Sequence, residues 1–367
     1  MDTFTDYTYS DRIFQILFDQ PEERYIDIAS VAIAVVGFLA NIFHLAVLTR
    51  KSIKSLSVRR FLIGIAICDL FRMIFTIVTI SPIIYREILS FCIPVTCIPP
   101  LSYLEMYFIQ LFNSLEIILT DLSVWFVVFM TIFRALVIRY PLNKRISSLV
   151  TSKYSLCAVI PFIFLVLPFW ILSFFQKTLF PELKWKPSPE CLGFPSNYTQ
   201  IQYRFLAIEL TGEFGYELTE TMNNVKGILF KFLPSIALSL ATFALVFEIR
   251  KRKKNKWTTG SKKERTTKLV SVVTFSFLLA IVPQGILFMI MFKVYETSVL
   301  GAVIEQLSIT LSFVSVMNGI IHLLIIYSMS SEYRATAKNL CSFLKKRKNS
   351  VSIFRVTKII LNNRMQP

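Results

Sequence analysis

The chain has 367 residues, 54% of them hydrophobic and only 17% charged, with a formal net charge of +17 and a mean hydropathy of +0.59. Soluble domains carry about 25% charged and about 45–50% apolar residues, so this composition excludes disorder, collagen and coiled coil and argues against an ordinary soluble enzyme. An excess of 40 Lys and Arg over 23 Asp and Glu would point to nucleic acid in a polar chain; in one this apolar it asks which side of a membrane the basic residues occupy, and no nucleic-acid partner is expected.

Residues 1–25 hold Asp2, Asp6, Asp11, Asp19, Glu22 and Glu23. They lack the basic and apolar regions of a cleavable signal peptide and read as an extracellular N-terminus, with the first span serving as targeting signal. Apolar stretches follow at Ile28 to Thr49, Phe61 to Ile84, Leu111 to Ile138, Tyr154 to Phe175, Gly227 to Ile249, Leu269 to Phe292 and Val299 to Tyr327. Each is long enough to cross the hydrocarbon core as a helix. They predict an all-α membrane protein, a seven-helix bundle over residues 26–329 with a long outer loop at 176–226 and a basic inner loop at 250–268. A short amphipathic helix and a basic cytoplasmic tail over 330–367 complete it.

Charge fixes the orientation, because cytoplasmic flanks of membrane helices collect Lys and Arg. With the N-terminus outside, the inner segments hold about 29 basic residues against Glu248, Glu264 and Glu332, and the outer segments about 9 basic against about 17 acidic. The reverse orientation would place nearly all the positive charge outside. Such a chain is expected in the plasma membrane as a multi-pass protein, its basic face toward anionic lipid.

Motif spacing separates a receptor from a seven-span transporter or channel. FRALVIRYPL, Phe133 to Leu142, resembles the DRYxxIxxPL signature of rhodopsin-like G-protein-coupled receptors. Arg134, Ile138, Pro141 and Leu142 keep their places, while Phe133 stands for the Asp and Ala135 for the Tyr. Asn41 and Asp69 lie where that superfamily has its paired Asn and Asp, and Phe277 and Pro283 match FxxxWxP with Ile281 in place of Trp. Pro234 sits in the fifth span where that helix usually bends. Asn318-Gly319-Ile320-Ile321-His322 departs from NPxxY, Gly replacing Pro and His replacing Tyr. CIPPLSY from Cys97, TDLSVWF from Thr120, CLGFPSNYT from Cys191, TTKLV from Thr266 and YSMSSEYR from Tyr327 together resemble the nematode serpentine receptor class W. That group is similar to FMRFamide-type and myosuppressin peptide receptors. The resemblance spans about residues 26 to 341 and implies a peptide or chemosensory ligand and coupling to a heterotrimeric G protein.

Individual residues acquire roles within that frame. Arg134, a charge inside a span, is expected to face the bundle interior at its inner end and meet the G protein once the helices part, with Ile138 and Pro141 beside it; snorkelling to headgroups is the alternative. Loss of the neighbouring Asp removes the usual local ion pair, so raised basal activity or a different latch is expected. Glu116 precedes Arg134 by 18 residues, five turns and about 27 Å of rise, and so shares its face near the outside. A buried carboxylate needs a partner, either a cationic ligand such as the Arg of an amidated peptide or one of the intramembrane cations Arg72 and Lys231. Asp121, turned about 140° from Glu116, is expected to bond a neighbouring helix.

Asp69, Ser123, Asn318 and Asn41 resemble the superfamily's polar core, which implies a bound sodium ion or, alternatively, a hydrogen-bond network without one. Phe277, Pro283 and His322 occupy the activation motifs. Three cysteines are predicted outside, and an oxidising exterior permits one bridge among them. The resemblance favours Cys97 with Cys191, tying the top of the third helix to the outer loop, and requires an insertion near residues 98–110; Cys92 is the alternative partner. Asn197 opens a glycosylation triplet in the outer loop, and Cys341 follows the amphipathic segment as a palmitoylation candidate or a plain thiol. The two histidines, His44 and His322, are both expected within the membrane and far apart, and no catalytic or metal constellation appears beyond the sodium candidate, so no enzyme and no other cofactor is expected.

Overall fold

The computed structural model describes residues 21–50, 59–140, 143, 160–175, 177–195, 197–207, 221, 224–254, 262–291 and 299–342. Most of the predicted N-terminal segment, the first part of the fourth span at 154–159, Pro141, the centre of the inner loop at 255–261 and the tail beyond 342 lie outside those residues. The described helices are α1 (Pro21–Leu48), α2 (Arg59–Cys92), α3 (Tyr103–Arg139), α4 (Ile160–Phe175), α5 (Leu233–Lys254), α6 (Lys262–Met291), α7 (Val299–Met329) and α8 (331–342). Six of them are long and apolar enough to cross a membrane. The described part of α4 covers residues 160–175 of the fourth predicted span.

The helices form because a bilayer leaves backbone groups no partner but one another, and the same constraint lets Pro82, Pro168 and Pro283 sit inside them. Helix ends are defined where side chains take over the orphaned groups. Ser102 caps α3 by accepting from the Glu105 amide, while the Glu105 carboxylate accepts from the Ser102 amide at 2.7 Å. Arg59, at the start of α2, donates to the Leu48 and Thr49 carbonyls and so closes the C-terminus of α1. Two helices run farther than the apolar stretches that predicted them: α2 continues to Cys92 and α3 begins at Tyr103. Both extensions rise on the outer side.

Contacts close a ring, α1 to α2, α2 to α3, α3 to α5, α5 to α6, α6 to α7 and α7 back to α1, with α4 against α3. The main apolar core fills its inner half, where Phe61, Leu62 and Ile65 of α2 meet Val127, Val128 and Met130 of α3, Leu245 of α5, Val270 and Val273 of α6 and Ile326 of α7. Outward-facing Phe164, Leu240 and Phe243 are largely exposed, as lipid-facing positions are.

The long outer loop was assigned no secondary structure from the sequence. It instead carries an antiparallel hairpin, β1 (Lys177–Trp185) and β2 (Gln200–Ala207), with a register shift between Pro181 and Leu183, where proline has no amide to offer the ladder. A Cys97–Cys191 disulfide joins the chain before α3 to the turn of this hairpin, leaving Cys92 free and exposed. Gln200 donates to the Pro100 carbonyl at 2.8 Å, and the Tyr203 and Tyr103 rings meet edge to face. The hairpin is thereby fixed above the outer end of α3.

Candidate functional site

Three polar layers stack along the bundle. The outermost holds Glu116, half-buried on α3, whose carboxylate accepts from the Thr76 hydroxyl of α2 at 3.0 Å. Phe75 stacks on Phe112, and Phe112 on Phe108, so an aromatic wall runs from this carboxylate toward the outside. Gln110 of α3 ties α4 in place by donating to the Phe174 carbonyl.

The two intramembrane cations are engaged by other acids. Lys231 donates to Asp121 at 2.8 Å, joining α5 to α3, with the side chains 20% and 7% exposed. It lies on a π-helical turn, Gly227–Phe232, at the head of α5, and such turns re-aim side chains inside otherwise regular helices. Arg72 lies 3.5 Å from Asp69 and donates to the Ser315 hydroxyl and carbonyl of α7; it reaches Glu116 only through the longer-range field. Neither cation forms the direct pair with Glu116 that the sequence left open.

In the middle layer Asp69 is shared: one oxygen faces Arg72, the other faces His322 Nε2 at 3.5 Å. Asn41 donates to the Gly37 and Gly319 carbonyls. The small cavity between Asp69, Ser123, Ser315 and Asn318 leaves room for about one water-sized sphere. His322 also packs against Phe277 of α6 and edge-on against His44 of α1, and His44 Nδ1 bonds the Tyr333 hydroxyl at 2.8 Å. The two histidines, expected far apart, instead meet with ring centroids 5.8 Å apart because α1 and α7 are neighbours in the ring, and they link the polar core to α8. Burial pushes the Tyr333 phenol above its ordinary range.

At the inner end Arg134 is 3% exposed and Ile138 is buried beneath it. Phe133, in the place of the usual Asp, stacks on Phe61 of α2. Thr131 bonds Thr274 across α3 and α6 at 2.9 Å. Five residues past Arg134, Arg139 forms a 2.6 Å ion pair with Glu248 of α5. Sequence reasoning did not single out Glu248 as a partner, although it is the one acid at the inner end of the fifth span; nor did it single out Thr76, Ser315, His44 or Tyr333. Pro283 lies within α6, Asn197 is exposed in a turn of the hairpin and Cys341 is exposed on α8. Among the described residues no group of His, Cys, Asp and Glu has the arrangement of a metal site.

A family model described as "Serpentine type 7TM GPCR chemoreceptor Srw" matches residues 28–344. The chain belongs to that family. Membership makes it a seven-helix, multi-pass receptor of the plasma membrane, in a family of receptors rather than enzymes, and implies an extracellular ligand and a G protein as partners of this serpentine receptor. No curated protein matches the receptor.

Proposed function

We propose that this receptor is activated by an extracellular ligand carrying a positive charge, held by Glu116, and that it signals through a heterotrimeric G protein engaged at Arg134, Ile138 and Pro141. One contrast supports the reading. Of the acids within the second and third spans, Asp69 and Asp121 each have a cation of the chain at hand, whereas Glu116 has the Thr76 hydroxyl and, among the described residues, no cation within ion-pair distance. A desolvated carboxylate so placed on the ligand side favours a cationic partner. Arg72 and Lys231 take indirect parts, Arg72 by its field at Glu116 and Lys231 by holding Asp121. A short amidated peptide with an Arg side chain meets the requirement and agrees with the acidic outer segments. A small amine is the second reading, favoured by the family's description as chemoreceptors.

The decisive experiment is a panel of short Arg-bearing amidated peptides, small amines and matched neutral molecules, read out as second messenger in cells expressing the full chain. Activation by cationic members is expected; a response confined to neutral or anionic compounds would overturn the reading. We assign a glycan to Asn197 and an acyl chain to Cys341 on the same terms, from exposure and side of the membrane.

The missing Asp before Arg134 needs a substitute restraint, and the Arg139–Glu248 pair bridges α3 and α5 where a G protein would enter. Glu248→Gln is therefore expected to raise basal G-protein activation about two- to fivefold, the scale an exposed pair supports. The charge-swapped double variant Arg139→Glu with Glu248→Arg should return it toward the starting level.

A further inference from the structure

Asp69, Ser123 and Asn318 stand where the superfamily resemblance implies an exchangeable sodium ion, but the surrounding residues do not fit one. A sodium seat needs carboxylate and hydroxyl oxygens converging on open space. Here the Arg72 guanidinium, 5% exposed, lies 3.5 Å from one Asp69 oxygen and bonds both the hydroxyl and the carbonyl of Ser315. Ser123 turns its hydroxyl along its own helix to the Thr120 carbonyl at 2.9 Å. His322 faces the second Asp69 oxygen at 3.5 Å. A sodium ion in the remaining space would sit beside a guanidinium already neutralising the same carboxylate. That space, bordered by the otherwise unbonded Asn318 Oδ1, suits a water.

A second observation ties Arg72 to a departure on another helix. A side chain at position 319 would place its Cβ 3.0 Å from the Arg72 Nη2 and 2.7 Å from the Met73 Cε. Glycine there, in place of the usual Pro, is what lets the guanidinium reach α7. The arginine on α2 and the glycine on α7 belong to one arrangement, which neither explains alone.

We propose that Arg72 is a tethered cation occupying the polar core in place of sodium, so that α2 and α7 are bridged by its hydrogen bonds to Ser315 and the resting receptor is indifferent to sodium. An ion that can leave lets the core collapse when a ligand binds; a tethered cation must instead swing or part from Ser315, and the bath concentration of sodium has no bearing on that step.

The test compares thermal midpoints of the full-length receptor in sodium chloride and in choline chloride at equal ionic strength, a readout that needs no ligand. Equal midpoints are expected for the unmodified receptor. Arg72→Met, which vacates the site and leaves Asp69 negative, is expected to gain a sodium-specific upward shift, and Arg72→Met with Asp69→Asn to lose it again. A sodium-specific shift in the unmodified receptor would overturn the proposal, as would an Arg72→Met receptor indifferent to sodium. If Arg72→Met does not reach the membrane, Arg72→Gln, which keeps a donor for Ser315, is measured in its place against the same two outcomes.

Discussion

Lys231→Met is expected to lower the stability of the solubilised receptor by about 3–5 kcal/mol, the cost of leaving one partner of a buried pair without the other. The carboxylate that would be stranded, Asp121, has a side chain 7% exposed and takes its 2.8 Å hydrogen bond from Lys231. The cost falls on the joint between α3 and α5, beside which α6 packs. The Lys231 carbonyl accepts from the Ser235 hydroxyl at 2.7 Å, and Gly285 of α6 packs directly against it. The π-helical turn that aims the ammonium at Asp121 is therefore also the surface on which α6 rests. Removing both charges together, Asp121→Asn with Lys231→Met, is expected to recover most of the loss, since no desolvated charge remains without a partner. A thermal melt of the single and double variants checks both statements. Equal melting of Lys231→Met and the unmodified receptor would mean that the pair does not hold the two helices.

The bundle was legible in the sequence because membrane insertion imposes one strong rule, long apolar stretches between basic inner flanks, and seven such stretches are present. The hairpin was not legible. Its second strand alternates polar and apolar residues from Gln200 to Phe205, but Pro181 interrupts the first, and the placement of the hairpin depends on a disulfide and on Gln200 reaching Pro100, contacts between residues about 100 apart. Facing was easier to read than pairing. Asp121, turned about 140° from Glu116 by a 100° rotation per residue, does bond a neighbouring helix, yet which acid meets which base follows from how neighbouring helices approach. Arg72 is one turn from Asp69 on the same helix, and glycine at 319 admits it to α7. Lys231 is steered to Asp121 by a π-helical turn that periodicity does not announce. The meeting of His44, His322 and Tyr333 likewise needs three elements in register at once.

Glu116→Gln is expected to raise the concentration of a cationic agonist needed for half-maximal response by about 100-fold, while leaving surface expression and basal signalling unchanged. The magnitude follows from truncating one member of a desolvated charge pair, about 2–5 kcal/mol at about 1.4 kcal/mol per tenfold. The selectivity of the effect follows from geometry. Glutamine keeps an oxygen that can accept from Thr76, so the contact between α2 and α3 at 3.0 Å survives, and what is lost is the negative charge alone. Concentration–response curves for a cationic agonist and for its neutral analogue on both receptors separate the possibilities: the neutral analogue should respond alike on the two, and only the cation should weaken. An unchanged response to the cation would remove Glu116 as the anchor. A response that falls for both molecules would mean that the substitution disturbs the aromatic wall of Phe75, Phe108 and Phe112 rather than a charge contact.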